Sequence, residues 1–182
     1  MKKALLGIGL LFLVSCGEET TPKPNAQLRL EYPNSTYGKL DSDCPYSFMV
    51  NDLAKIKSNQ PCSYEIHYPK MKATIYITYK NVNNNIESLL RDAQKLTYDH
   101  AVKADEIITQ PYINKDHKVY GMLSEVGGNA ATNAQFYVTD STKNFLVGSM
   151  YFYAKPNFDS ILPAASYVKD DIRKIMETIE WK

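Results

Sequence analysis

ATIYITY, running from Ala73 to Tyr79, is the stretch on which the fold turns. Apart from Ala73, every residue in it is β-branched or aromatic, the types that suit a pleated surface. Strand alternation puts Ala73, Ile75, Ile77 and Tyr79 on one face and Thr74, Tyr76 and Thr78 on the other. Neither face carries a charge. A strand with two uncharged faces is expected to be central and covered on both sides.

The neighbouring segments supply the rest of the sheet and its cover. Upstream, Gln27 to Tyr32, Tyr46 to Val50 and Tyr64 to Tyr68 alternate and are bounded by Pro, Asn or Ser. Downstream, Asn83 to Ile108 reads as a helix. Asn83, Asn84 and Asn85 offer caps, and Ile86, Leu89, Leu90, Ala93, Leu96, Ala101, Ala104 and Ile107 follow helical spacing. Pro111 marks its exit. Three strands are expected next. Lys118 to Val126 leads into Gly127-Gly128, Ala134 to Thr139 leads into the polar turn Asp140 to Asn144, and Phe145 to Ala154 is long and apolar. A last helix from about Asp159 to Ile179 carries the stripe Ile161, Ala165, Val168, Ile172, Ile175 and Ile179, with Pro163 placed in its first turn. This order predicts an α+β domain over 27–182, an antiparallel β-sheet flanked by two main helices. It resembles the Mog1/PsbP-like α/β/α sandwich, a likeness of topology that carries no function by itself.

The N-terminus predicts location. Lys2 and Lys3 precede an apolar run, Ala4 to Val14, that is too short for the ~20 residues of a spanning helix. Leu13-Val14-Ser15-Cys16 resembles the lipobox of bacterial lipoproteins, in which the cysteine is lipidated and the peptide is cut before it. Residues 1–15 are therefore expected to be a lipoprotein signal peptide, and Cys16 the lipidated residue. Residues 16–26 form a Pro- and Thr-rich tether. Glu18 and Glu19 weakly match the acidic pair that directs some Bacteroidetes lipoproteins outward.

Charge narrows the partners. The chain has 21 basic and 20 acidic residues; loss of Lys2 and Lys3 leaves 19 and 20, a net charge of −1. That balance argues against nucleic acid, and against electrostatic adhesion to anionic lipid as the main membrane contact. With Cys16 assigned to lipid, Cys44 and Cys62 remain as a pair in a chain that has left the cytoplasm. A structural disulfide, worth ~3 kcal/mol on the chain-entropy view, leads over two buried free thiols and over redox or metal chemistry.

Catalytic signatures are missing. The chain has no Gly-x-Ser-x-Gly, no His-Glu-x-x-His, no phosphate loop and no dinucleotide-binding turn. His67, His100 and His117 have no metal-ligand spacing, and neither a metal nor any other cofactor is expected. A hydrolase would need His67 or His117 within hydrogen-bond reach of a carboxylate or hydroxyl in a cleft. Tyrosine is the compositional outlier, at 14 residues against 6 Phe and 1 Trp. Tyr64, Tyr68, Tyr76 and Tyr79 crowd two strands and Tyr151 and Tyr153 a third. They are either ordinary strand residues or a face that binds a glycan, peptide or lipid. Asp140-Ser141-Thr142 and Asp159-Ser160-Ile161 resemble Bacteroidetes O-glycosylation acceptors. Only Ser141, in a turn, is a plausible acceptor; the second segment reads as a helix start.

Four segments, PKPNAQLRLEYP (Pro22 to Pro33), CPYSFMV (Cys44 to Val50), CSYEIHYPKMKATIYITYKNV (Cys62 to Val82) and the block from Val126 to Pro163, are together similar to the gliding motility lipoprotein GldD family of the Bacteroidetes. The resemblance implies a membrane-anchored component of the gliding machinery and of the type IX protein secretion linked to it. It implies a non-catalytic scaffold or accessory role among other envelope proteins, with no small-molecule substrate. The domain is then expected in the periplasm, on the inner or outer membrane, rather than at the cell surface. The family supplies no catalytic residues.

Overall fold

The computed structural model describes residues 32–40, 42–99, 104–128, 130, 132–153 and 158–182. Numbered in chain order, the strands of its antiparallel sheet run β4 (Lys55–Gln60), β5 (Ser63–Tyr68), β6 (Ala73–Asn81), β10 (Asn144–Phe152), β9 (Thr132–Thr139), β8 (Val119–Gly128) and β7 (Ala104–Asn114). Two short ribbons flank it among the described residues: β1 (Tyr37–Lys39) pairs with β3 (Met49–Asn51), and β2 (Tyr46–Ser47) pairs with the C-terminal β11 (Glu180–Trp181). The helices are α1 (Ile86–Asp99) and α2 (Phe158–Thr178). The α+β class read from the sequence is the observed one.

Each helix takes one face of the sheet. Ile66, Ile75, Ile77, Phe136, Leu146 and Met150 are buried against the α2 stripe Ala165, Val168, Ile172, Ile175 and Ile179. Fully burying an aliphatic side chain of this kind contributes ~1.5–3 kcal/mol, so this is the main core. The opposite face offers Phe145, Tyr137 and Val147 to Leu89 and Ala93 of α1. Glu125 on β8 fastens α2 by pairing with Lys169 at 2.7 Å and with Arg173. Gln135 on β9 fastens α1: its amide nitrogen donates to the Leu96 carbonyl at 3.1 Å, and its oxygen accepts from Thr97 at 3.0 Å.

ATIYITY lies third in the sheet, with Ala73, Ile75 and Ile77 buried under α2. Its second face is only partly covered, which corrects the expectation. α1 packs over β9 and β10, so Tyr76 and Thr78 stay half-exposed beside the helix, while Thr74 is buried next to His67.

Other differences have local causes. The helix expected over Asn83 to Ile108 stops at Asp99, and Ala104–Asn114 forms β7. Ile107-Ile108-Thr109 is β-branched, and β7 pairs along its length with β8, which outweighs the helical spacing of Ala104 and Ile107. Pro111 is accommodated because β7 is an edge strand. The polar strand β4 has no alternation to announce it; all its residues are exposed. The expected strand Tyr46 to Val50 is broken at Phe48, because its halves pair with different partners. Pro163 lies beyond the first turn of α2, inside the helix. The expected strand Gln27 to Tyr32 lies outside the described residues except for Tyr32, which is irregular. Cys16, the signal segment, the tether and His100 also lie outside them.

Candidate functional site

The face of the sheet that α1 leaves open is the candidate site. β6 carries Tyr76 and Thr78 there, and the register sets Ser149 beside Tyr76 and Val147 beside Thr78 on β10. Tyr151 follows on β10, and Tyr153 just past its end. With Leu96 of α1 as one wall, these residues line an open groove of about 560 Å³. The Tyr76 and Tyr151 rings meet edge to face, their centroids 5.7 Å apart. The Tyr76 and Tyr153 hydroxyls hydrogen-bond to each other. That bond, followed by burial, pushes the Tyr76 phenol up to about 12. The groove therefore presents aromatic edges and phenols, a surface suited to a peptide or a sugar.

Beyond it, on the same face, lie Glu65, His67 and Thr74. His67 Nδ1 is 2.9 Å from Thr74 Oγ1, and Nε2 is 3.0 Å from Glu65 Oε2. His67 thus meets the geometric condition set for a hydrolase. The hydroxyl it holds is at 0 % exposure, however, so Thr74 is not placed to attack a bound molecule. His117 is exposed in the β7–β8 turn, where its backbone N–H donates to Asn114. Among the described residues, no group of three or more His, Cys, Asp or Glu is placed to hold a metal ion.

The four tyrosines singled out in the sequence do not share a face. Tyr64 and Tyr68 are buried on the α2 side, and Tyr79 packs against the same core. Tyr64 and Tyr79 surround Tyr46, with ring centroids 6.4 and 5.6 Å from it. Tyr46 also stacks on Phe48 and meets Trp181. Tyr64 and Tyr46 of this cluster contact the Cys44–Cys62 disulfide, whose Cα atoms are 5.4 Å apart. Tyr64 donates to Cys44 Sγ at 3.2 Å, since a bridged sulfur has no proton to give, and Tyr46 donates to the Cys62 carbonyl at 2.7 Å. Only Tyr76 belongs to the open face, in company with Tyr151 and Tyr153. Strand parity separates Tyr76 from Tyr79 in the sequence; the partnership with β10 needs the sheet order.

Ser141 is exposed at φ 67°, in the left-handed region. Its turn is held by Asp140 Oδ1, which accepts the backbone N–H groups of Thr142, Lys143 and Asn144 at 2.8, 2.7 and 2.9 Å.

Compared with known families, residues 17–181 match the family model described as gliding motility lipoprotein GldD. No curated protein matches the chain.

Proposed function

The chain belongs to the gliding motility lipoprotein GldD family, and from that premise we propose that it is a non-catalytic scaffold of the gliding machinery and of the linked type IX secretion. Membership itself implies a membrane-anchored envelope lipoprotein involved in gliding motility. The finer reading places the lipid on Cys16 and the domain in the periplasm, on the inner or outer membrane. It assigns the domain to the Mog1/PsbP-like sandwiches, supported by one sheet between two helices. Its partners are other envelope proteins. The observation that carries the reading is the family match across nearly the whole chain.

The test is a deletion strain complemented by the wild-type chain, by Cys16→Ser and by a Tyr76→Ala, Tyr151→Ala, Tyr153→Ala triple variant. Deletion is expected to abolish colony spreading and type IX export, with only the wild type restoring both. Normal gliding and export after deletion would sink the proposal.

A second reading is favoured by the open tyrosine groove: the domain is an envelope binding module for a glycan, peptide or lipid. It predicts saturable ligand binding that the triple variant loses without a change in melting temperature. Ser141, on its exposed turn, is the proposed acceptor for O-glycosylation, checked by the mass of the mature protein from its native host.

A further inference from the structure

The corner where the described chain begins carries four exposed lysines. Lys55 and Lys57 stand on β4, Lys70 lies in the 3-10 turn Pro69–Met71, and Lys72 closes that turn. None of the four makes an ion pair among the described residues, whereas Lys39, Lys169 and Arg173 all do. Glu65, the carboxylate on this face of β5, is already taken by His67 and by the Asn59 amide at 2.6 Å. Asp52 lies in the turn that precedes β4.

The lysines border two adjoining hollows. One, of about 360 Å³, is bounded by Lys55, Lys57, Lys72 and His67. The other, of about 240 Å³, is bounded by Tyr32, Leu53, Lys55 and Lys70. Lys55, Tyr68 and Pro69 are common to both. Leu53, 43 % exposed, and Tyr153, 58 % exposed, add apolar surface at the rims. Tyr32, the first described residue, borders this corner. The sixteen residues from Cys16 to Glu31 reach ~55 Å at most.

We propose that this corner docks on the anionic phospholipid surface to which the N-terminus tethers it. The lysines face lipid phosphates, and Leu53 and Tyr153 sit at the headgroup level. The near-zero charge of the whole chain does not oppose this. Surface charges separated by more than ~8 Å are screened from one another at physiological salt, so a membrane responds to the local cluster. The lipid on Cys16 holds the chain at the membrane but leaves the domain free to turn; a basic patch is a common second signal, and here it would fix how the domain sits. The proposal takes its orientation from the anchored reading of Cys16, but its chemistry is independent of gliding. The test below therefore fails or succeeds separately from the genetic one.

The mature chain from residue 16, carrying Cys16→Ser so that neither the signal segment nor an acyl chain contributes, is sedimented with vesicles of phosphatidylcholine alone or mixed with phosphatidylglycerol. Binding is expected only to the mixed vesicles and is lost at high salt. Replacing Lys55, Lys57, Lys70 and Lys72 with Gln is expected to weaken it by ~20-fold or more. A control with Lys95, Lys115, Lys118 and Lys143 replaced by Gln changes net charge equally and is expected to stay within about twofold of the unmodified chain. All eight lysines are exposed, and a common melting temperature confirms that both variants fold. Equal binding to neutral vesicles, binding to neither, or equal loss in the two quadruple variants overturns the proposal. So does capture of soluble polyglutamate without capture of vesicles, which would point to an acidic protein partner instead.

Discussion

Asp171, on α2, is only 1 % exposed, yet three elements converge on it. Tyr37 of β1 donates to its carboxylate at 2.6 Å, and the Asn51 amide of β3 donates to both oxygens at 3.1 and 2.9 Å. The buried Tyr68 hydroxyl faces the same group without making a hydrogen bond. Burial raises the Asp171 carboxyl above its usual range, against the pull of these donors. Its folded form therefore holds a proton more tightly than its unfolded form, and its contribution to stability falls as pH rises through that range. Asp171→Ala removes the acceptor of the half-buried Tyr37 hydroxyl and leaves the buried Asn51 amide only Ser35 Oγ at 3.3 Å and the Tyr167 hydroxyl at 3.1 Å; it is expected to cost about 1–2 kcal/mol, read by urea unfolding at neutral pH. Asp140 has the opposite sign. Burial alone would raise it, but the N–H groups of Asn144, Lys143 and Thr142 hold its carboxyl below the usual range. Its stabilisation is complete above the unfolded carboxyl pKa and is lost as pH falls through the lowered folded one. Asp140→Asn is expected to cost about 1 kcal/mol at neutral pH and to flatten the acid limb of the stability curve.

Among the elements, β10 and its neighbours show how pattern and packing divide the work. Its apolar run marks it as a buried strand, but the glycine within it has a reason visible only across the sheet. Gly148 pairs with Phe136 on β9, and a Cβ there would fall inside the van der Waals envelope of the Phe136 ring. Gly148→Ala is expected to destabilise by about 1–3 kcal/mol through overpacking, and Gly148→Ala with Phe136→Leu to recover part of it in the same thermal melt. β7 makes the complementary point. Ala104 and Ile107 fit the helical stripe of α1 by spacing, while Ile107-Ile108-Thr109 and Pro111 fit an edge strand by residue type. A single segment carries both signals, and pairing with β8 decides between them.

At the scale of the whole molecule, the disulfide ties the segment before β2 to the β4–β5 turn, 18 residues apart, beside the Tyr46 aromatic cluster. Replacing Cys44 and Cys62 together with Ser is expected to lower stability by ~3 kcal/mol. Reduced wild type should unfold at the same urea concentration as the double variant. Pattern along the chain suffices for the α+β class, the core stripe of α2, the alternation of β5 and β6 and the two cysteines of the bridge. These follow from local periodicity and from counting, which one chain displays in full. Which tyrosines meet, how far α1 reaches and where the lysines gather were decided only in three dimensions. Tyr76 joins Tyr151 and Tyr153 because β6 pairs with β10 across the 62 residues, 82–143, that separate Asn81 from Asn144. Lys55, Lys57, Lys70 and Lys72 form one corner because β4 folds back on β5 and the 3-10 turn brings the chain round beside them. Contacts of that kind depend on sheet order, which is set by the free energy of burying both faces together and not by any one segment's pattern.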